Sequence, residues 1–352
     1  MPLSARWIAR SLIVLFWVSL IFAFLWLPSI SIFKPSKTIT VFTWARVLDP
    51  HYIREFEKQT GIGVYVSYYE SNQELFSKLV ATKGEGYDLV IPSDHTVARL
   101  KDLGLLKKLD RSQLHFWSDL NPGLMGHYFD PDNEYSIPYY WGLYGLGIDK
   151  RYFKNVMPPS TWGLIFDKKI APSSVAMTDD ARDVIMIAAQ YLFGSIDNLT
   201  DEKLAQIEQL LIEQKKWVEI YTEARAEELL VSQSCPVVTT TGPELWLALQ
   251  DDENISFLIP EEGTFAVIDS FIIPAASQKE EMVYQFLNFM FEKDVLKHHL
   301  EKFGFCSPVL SVENSTDEAF CILPLKSNNV DFFRNVIPQK KIDDLWVSLM
   351  AR

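Results

Sequence analysis

Several side chains that could bind a small cation stand directly after predicted β-strands. Trp44, Ser93 and the pair Asp179-Asp180 each occupy such a position, as does the Thr-Thr-Gly turn at 240–242. Ligands of open α/β sheets bind beyond the carboxyl ends of the strands. A tryptophan ring can face a cation or an alkyl chain, and carboxylates can hold an ammonium group by charge-assisted hydrogen bonds. These positions therefore outline a candidate binding edge.

The acids of this edge have two interpretations. Asp183 lies one turn beyond Asp180 on a predicted helix, so the two side chains share a face, and the helix dipole favours their ionised forms. Such a pair could hold an ammonium group. The same spacing fits a helix cap followed by a surface acid that is paired with Arg182. Similarly, Ser93 could simply cap its helix, and Trp44 could pack beneath its own loop.

Motifs for catalysis, metal binding or cofactor binding are not found in the sequence. It has no phosphate-binding P-loop and no GxSxG nucleophile motif, and the Gly-Leu-Gly at 145–147 lacks the third glycine of a dinucleotide fingerprint. The adjacent His298 and His299 have no HExxH context, and we place them on the solvated face of a charged helix. We therefore expect a binding protein rather than an enzyme, with no cofactor and no metal.

Charge narrows the set of partners. The 352-residue chain has 33 basic and 46 acidic residues, which gives a net charge of −13. An acidic chain binds phosphate backbones poorly, so nucleic acid is excluded as a partner. The three cysteines are too few for a disulfide scaffold and lack the CxxC spacing of zinc sites. Whether Cys306 and Cys321 form a disulfide is left open by the sequence.

Residues 1–36 form a separate segment. Arg6 and Arg10 precede an uncharged, apolar run over 11–33. This pattern is typical of an export signal, but the run is also long enough to span a bilayer. The small-residue triplet at 29–31 is a poor cleavage site. We expect a signal peptide or, more often, a retained anchor that contacts the inner membrane, and a periplasmic location for the rest of the chain.

Beyond this segment, strand and helix patterns alternate. Residues 39–104 read as βαβαβ followed by a helix, with Gly61 ending the first helix, which predicts a parallel sheet covered by helices. The aromatic stretch 135–148 contains three glycines, and we interpret it as an extended passage between two lobes. A long charged helix is predicted over about 201–221, and helical structure is predicted again over about 281–302.

A family resemblance becomes plain at these motifs. The segments ITVFTW, YESN, YDLVIPS, YSIPYYWG and TDDARD occur in this order. They resemble the spermidine/putrescine-binding proteins of bacterial ABC transporters. The resemblance implies the α/β, two-lobed, type II periplasmic-binding-protein fold, in which each lobe is a mainly parallel sheet flanked by helices. Each lobe is discontinuous in sequence, with residues 37–144 and 269–312 in lobe 1 and residues 145–268 and 313–352 in lobe 2.

The resemblance assigns ligand-binding roles to five residues that match the family. They are a pocket tryptophan, a pocket serine and three carboxylates: Trp44, Ser93, Asp180, Asp183 and Asp269. Asp183 stands where the family has a glutamate, so the charge is kept with a shorter reach. The resemblance implies that the acids bind ammonium groups while the tryptophan stacks along the alkyl chain.

Four other pocket positions depart from the family. Arg46 replaces a glutamate, His95 replaces a tyrosine, and Thr240 and Val267 replace two tryptophans that enclose the ligand. Each lost ring removes a cation–π attraction of about 0.5–2 kcal/mol. An Arg46 side chain that points inward would repel an amine, whereas one that turns outward would face solvent. The carboxylates are therefore largely kept and the aromatic walls largely lost.

Three functions fit these observations. In the first, the protein captures a polyamine in the cleft between its lobes and delivers it to the permease subunits of an ABC transporter. In the second, the same fold binds a cationic amino acid such as ornithine, with Arg46 facing the ligand's carboxylate. In the third, a membrane-tethered protein with a degenerate pocket uses its lobes for protein interaction.

Overall fold

The protein is described by a computed structural model that covers residues 15–19, 37–222, 226–312, 319–321 and 329–352. The expected signal or anchor, residues 1–36, lies almost entirely outside this part of the chain. Among the described residues, no helix has both the length and the apolar character needed to cross a bilayer.

Ten strands and eleven helices of the described chain build the fold. The strands are β1 (Thr38–Trp44), β2 (Gly63–Tyr69), β3 (Leu89–Val90), β4 (Ser136–Asp149), β5 (Val175–Met177), β6 (Val218–Tyr221), β7 (Val237–Thr241), β8 (Ile255–Leu258), β9 (Thr264–Ile272) and β10 (Val330–Phe332). The helices are α1 (Pro50–Thr60), α2 (Asn72–Thr82), α3 (Asp94–Asp102), α4 (Gly163–Phe166), α5 (Ala181–Phe193), α6 (Asp201–Gln214), α7 (Ala226–Val231), α8 (Gly242–Asp251), α9 (Glu280–Met290), α10 (Lys293–Phe303) and α11 (Gln339–Met350).

The strands lie in the order β2-β1-β3-β9-β4-β7-β5-β6, with β10 beside β9 and β8 beside β4. The outer strands of both halves are parallel, as the alternation of strands and helices predicts. The central strand β4 instead runs antiparallel to β9, β7 and β8. Both halves are therefore mixed sheets, with antiparallel pairs around β4 and parallel pairs elsewhere, including β9 with β10 and β7 with β5.

Strand β4 connects the two halves of the sheet. It pairs with β9 from Ser136 to Leu143 and with β7 from Tyr144 to Ile148. Nearly all of its residues are buried. The change of partner at Leu143 and Tyr144 places the end of one half directly against the start of the other. Residues just before this point pair with the first half of the sheet, and residues just after it pair with the second half.

Each half has its own apolar core. In the first, β1 and α1 contribute Ile39, Val41 and Phe56, which are fully buried with other apolar side chains. In the second, Met177 and Val184 pack in a separate cluster that includes the side chains of α5 and α11. Burial of this apolar surface is the main stabilising contribution to each half. It offsets the cost of burying polar groups at the inner edge of each half.

The predicted charged helix over 201–221 is shorter than expected. α6 ends at Gln214, a single 3-10 turn follows, and Val218–Tyr221 forms the edge strand β6. β6 pairs in parallel with β5. The β-branched residues Val218 and Ile220 favour a strand, and a free edge of the sheet was available to pair with them.

The helical stretch predicted over 281–302 is two helices, α9 and α10, separated at Phe291 and Glu292. The assignment of His299 to a solvated face was wrong. His299 is fully buried, its Nε2 accepts a hydrogen bond from the backbone N–H of Asp49 at 3.0 Å, and its Nδ1 lies 2.7 Å from the carbonyl of Val295. Burial lowers the pKa of His299 to about 4, so the ring is neutral.

Asp49 fixes the loop that follows β1. Its side chain caps α1 by accepting the N–H of His51, and it also accepts hydrogen bonds from Lys302 at 2.7 Å and His298 at 2.8 Å. Burial opposes ionisation of this carboxyl, but these hydrogen bonds outweigh it and hold the pKa of Asp49 well below its usual range. The loop that follows Trp44 is thereby attached to α10.

A disulfide links Cys306 to Cys321, and Cys235 is a buried free thiol. The sequence left this pairing open. The bond ties the segment after α10 to residues 319–321. Disulfides persist in oxidising compartments, so the bond agrees with the predicted export of the chain.

We expect Asp49→Asn to lower the free energy of unfolding by about 2 kcal/mol at neutral pH, because two charge-assisted hydrogen bonds are lost while the cap is retained. Because the pKa of Asp49 is lower in the folded state, this contribution is fully present above the unfolded pKa of 3.8. It is lost as the pH falls toward the pKa of the folded state. Urea denaturation at about pH 7 and about pH 3 measures both, with the exposed Asp294→Asn as a control. A loss that is equal at both pH values would contradict this electrostatic role.

Candidate functional site

Asp269 lies at the centre of the molecule, on the strand β9 that pairs with β4. It is only 2% exposed. Tyr140 faces it across the β4–β9 pair, and Ser93 pairs with it in an isolated β-bridge. Hydrogen bonds from both side chains stabilise the carboxylate, but burial dominates and raises the pKa of Asp269 to about 7. Its Oδ1 atom has no hydrogen-bond partner among the described residues.

Asp180 and Asp183 begin helix α5 at the end of β5. Asp180 caps the helix by accepting the backbone N–H groups of Arg182 and Asp183 at 2.9 and 3.3 Å. The Arg182 guanidinium donates to Asp183 at 2.8 Å and contacts Asp180 at 3.2 Å. The pairing with Arg182 that the sequence left open is therefore present, but it is buried rather than at the surface.

Burial opposes the charged form of both Asp183 and Arg182. It raises the pKa of Asp183 well above its usual value, and the charge of Asp180 adds to this effect. Burial also opposes the charge of Arg182, but the two carboxylates outweigh it and raise the pKa of the guanidinium. Arg182 is thus a permanent cation, and the cluster keeps one negative charge when both acids are ionised.

Trp44 is the last residue of β1, and Ser93, which pairs with Asp269, follows β3. Trp44 is half-buried and its ring lies 4.4 Å from that of Tyr69. Ser93 occupies the N-cap position of α3 but makes no capping hydrogen bond with its side chain. Its hydroxyl instead accepts a hydrogen bond from Asn72 at 3.3 Å. The capping interpretation of Ser93 is therefore not what the structure shows.

Arg46 turns away from Asp269. Its side chain is 66% exposed and makes an ion pair with Glu227 at 3.1 Å. Its backbone adopts a positive φ of 61°, an uncommon conformation for a residue other than glycine. Arg46 therefore follows the outward alternative, and its charge is taken up by an acid on α7.

The remaining predicted positions carry no charge into the site. His95 is buried, with its Nε2 3.0 Å from the Thr96 hydroxyl, and burial lowers the pKa of His95 well below its usual value. Thr240 is buried and donates to Glu244 at 2.7 Å. Val267 is half-buried and packs on the apolar core of the second half.

Five residues of this region were missed by sequence reasoning: Asp94, Tyr128, Tyr140, Tyr144 and Glu244. Tyr140 and Tyr144 lie near the acids, since Asp269 acts on Tyr140 and Asp183 acts on Tyr144 electrostatically. The alternation of a strand puts residues 140, 142 and 144 on one face, so the pattern of the aromatic stretch could have revealed both tyrosines. Gly142 between them leaves room for Pro243, which would lie 2.6 Å from an added Cβ.

Glu244 adds a further acid at the start of α8. It completes a capping box with Thr241. Part of Glu244 is exposed to water. The protein around its carboxyl group nevertheless raises the pKa of Glu244, and desolvation is the largest cause. A capping-box glutamate is ordinarily interpreted as purely structural. Nothing in the spacing Thr241-x-x-Glu244 shows that this one also contributes charge to the site.

Comparison with known proteins places this arrangement in a family. A family model for bacterial extracellular solute-binding proteins matches residues 51–320. The chain is 32% identical over 281 residues to the spermidine/putrescine-binding periplasmic protein of Escherichia coli (strain K12), covering 78% of this chain and 79% of that protein. It is 30% identical over 281 residues to the putrescine-binding periplasmic protein PotF of the same strain, covering 74% and 75%.

A solved structure shows the same fold. That of a spermidine/putrescine ABC transporter protein from Listeria monocytogenes superposes with a TM-score of 0.81 at 27% identity, covering 90% of this chain and 100% of that one. The chain therefore belongs to the bacterial extracellular solute-binding proteins. It is an extracytoplasmic transport protein rather than an enzyme, and the predicted two-lobed α/β fold is confirmed.

We expect Asp269→Asn to raise the stability of the ligand-free protein by about 2 kcal/mol at about pH 8. Its pKa of about 7 in the folded state lies above the unfolded value of 3.8, so ionisation of this carboxyl opposes folding. The cost is absent below the unfolded pKa, grows as the pH rises, and is complete above the folded pKa. Thermal unfolding between about pH 4 and 8 measures this, with the exposed Glu261→Gln as a control. Destabilisation by Asp269→Asn at about pH 8 would contradict it.

Proposed function

We propose that this protein captures a polyamine such as putrescine or spermidine between its two lobes and delivers it to the permease subunits of an ABC transporter. The relatives and the solved structure named above support this proposal, since their names refer to these ligands and to such a transporter. The structural support comes from the charges and rings that surround Asp269.

The observation that carries the proposal is the unsatisfied Oδ1 atom of Asp269. A buried carboxylate without a full set of hydrogen bonds is costly. An ammonium group is the natural partner, because it brings both a positive charge and N–H donors. An ammonium group bound there would donate a charge-assisted hydrogen bond to the oxygen that otherwise has no partner.

The net charge of the site indicates the valence of the ligand. When every acid is ionised, its carboxylates outnumber its guanidinium groups by three, counting Asp94, Asp180, Asp183, Glu244 and Asp269 against Arg182 and Arg99, a half-buried arginine of α3. A ligand with two or three positive charges would neutralise most of this excess. Putrescine and spermidine carry such charges, whereas a simple monoamine does not.

Aromatic rings near the acids can contact the alkyl chain of a polyamine. Trp44 and Tyr140 each keep part of their surface exposed to solvent, and Tyr140 is stacked on Phe305 at 4.3 Å. The ring of Tyr144 packs edge-on against Phe333 at 5.1 Å, which fixes its orientation. We propose that these rings compensate in part for the two tryptophans that Thr240 and Val267 replace.

The amino-acid alternative loses its support. It required Arg46 to face a ligand carboxylate, but Arg46 is exposed and paired with Glu227. Arg182 is the buried cation of the site, and Asp180 and Asp183 already occupy it. A free carboxylate on the ligand would therefore meet an excess of negative charge.

Capture of a ligand between the lobes requires contacts that can form when the lobes close. We propose lobe 1 as residues 37–144 and 269–312 and lobe 2 as residues 145–268 and 313–352. With these boundaries, the ion pair between Arg46 and Glu227 joins the lobes, as does the hydrogen bond from the Trp246 indole to the carbonyl of Glu301 at 3.0 Å. Hinge motion between lobes would make and break such contacts.

We propose ligand contacts by Trp44, Ser93, Asp180, Asp183 and Asp269, and expect isothermal titration calorimetry at neutral pH to show binding of putrescine, spermidine or both. Asp269→Asn should weaken this binding at least about tenfold, which corresponds to about 1.4 kcal/mol. Glu261→Gln, an exposed acid of lobe 2, is the matched control and should bind like the unmodified protein. Absence of heat with putrescine, cadaverine, spermidine and spermine in folded protein would refute polyamine capture.

We also propose that residues 1–36 remain attached and hold the protein at the inner membrane, since the uncharged run is long and its cleavage site is weak. Mass spectrometry of the mature N-terminus, isolated from host membranes, should find these residues in place. A homogeneous start near Ile32 in the soluble fraction would show cleavage and refute anchoring.

A further inference from the structure

Asp94 is a second deeply buried carboxylate beside Asp269. It is 2% exposed, at the first position of α3, directly after Ser93. The backbone N–H of Ile268, the residue that precedes Asp269, donates to one of its oxygens at 3.3 Å. The charge of Asp94 acts directly on Asp269. Asp94 and Asp269 therefore share one small region between α3 and β9.

The orientation of Asp94 is fixed. The Tyr128 hydroxyl donates to its second oxygen at 3.0 Å and also lies 3.1 Å from the carbonyl of Phe333. Each carboxylate oxygen can accept two hydrogen bonds. The backbone N–H of His95 is a third donor, so Asp94 accepts three hydrogen bonds from the protein and its carboxylate can accept one more. The side chain is held in place without being saturated.

Protein cations do not neutralise this pair. Within the described residues, no lysine or arginine makes an ion pair with Asp94 or Asp269. Arg182 reaches Asp94 only as a longer-range electrostatic influence, because its guanidinium is bound to Asp180 and Asp183. His95, at 3.8 Å from Asp94, is neutral. Two buried carboxylates thus lie together, and one of them has an oxygen with no described partner.

We propose that Asp94 and Asp269 together bind one terminal ammonium group of the ligand, and that Asp94 makes the site selective for a primary amine. This inference rests on the proposed function and adds a residue and a chemical class to it. A primary ammonium group has three N–H donors, enough for both carboxylates at once. A quaternary ammonium group carries the same charge but no donor, so it would leave these oxygens unsatisfied.

The test is calorimetry of four proteins with putrescine and with its permethylated analogue, which has two quaternary ammonium groups. We expect the unmodified protein to bind putrescine at least about tenfold more tightly than the analogue. Asp94→Asn should weaken putrescine binding about tenfold or more and reduce the preference over the analogue. Asp102→Asn removes a carboxylate from the exposed end of the same helix and should bind within about twofold of the unmodified protein.

Tyr128→Phe is the fourth protein, and it keeps the carboxylate while removing the hydroxyl that orients it. We expect a loss of about two- to fivefold. Thermal unfolding shows whether Asp94→Asn folds. If it does not, Tyr128→Phe still tests the role of Asp94. Proton release gives an independent measure, because burial raises the pKa of Asp94 to about 6 and of Asp269 to about 7. Binding at about pH 6 should release protons in the unmodified protein and fewer in Asp94→Asn.

The outcomes separate the two proposals. Putrescine binding that is unchanged in both Asp94→Asn and Tyr128→Phe, or a quaternary analogue that binds as tightly as putrescine, overturns the role of Asp94 and leaves polyamine capture standing. A folded, unmodified protein that binds no putrescine or other polyamine overturns both. If Asp94→Asn does not fold, unchanged binding and unchanged proton release in Tyr128→Phe overturn the role of Asp94.

Discussion

The structure depends on holding several carboxylates between two half-sheets with too few cations to balance them. Each acid alone would take up a proton rather than keep a bare charge out of water. Asp269 and Asp94 show this tendency in their raised pKa values. Arg182 relieves part of the repulsion at the start of α5. The remaining charge can be removed by protonation of these acids or by a cation from outside the chain.

The rest of the fold makes this constraint tolerable. Each half-sheet has an apolar core, a third cluster that includes Phe42 and Trp246 spans both halves, and β4 and β9 bring the inner edges of both together. With the proposed boundaries, Asp94 and Asp269 lie in one lobe and Asp183 and Glu244 in the other, so we expect repulsion between the two sets to oppose closure of the lobes. A polyamine that neutralises them would favour the closed arrangement, which is the direction of change that capture requires.

Much of the fold could be predicted from the sequence. The alternation of strands and helices, the end of α1 at Gly61 and the extended course of β4 follow from local periodicity and backbone preference. Val218–Tyr221 could not be assigned so easily, because the free edge of β5 decides whether that segment is a strand. His299 was misassigned since burial of its helix face depends on Asp49, which is 250 residues earlier in the chain.

The site could be predicted only in part. Rules for strand ends identified Trp44, Ser93 and Asp180, and the family resemblance added Asp269. The direction of the Arg46 side chain depends on Glu227, far away in sequence, and the orientation of the Asp94 carboxylate depends on Ile268 and Tyr128. Such long-range pairings leave no periodic signal. They determine whether an acid or a base faces the ligand.

The most direct test of polyamine capture is a crystal structure of the protein grown with putrescine. The account predicts one ligand nitrogen within hydrogen-bonding distance, about 2.7–2.9 Å, of Asp269 Oδ1, with the lobes closed over it. A structure in which the diamine lies elsewhere, or in which Asp269 Oδ1 is satisfied by a protein donor while the ligand is bound, would contradict the account.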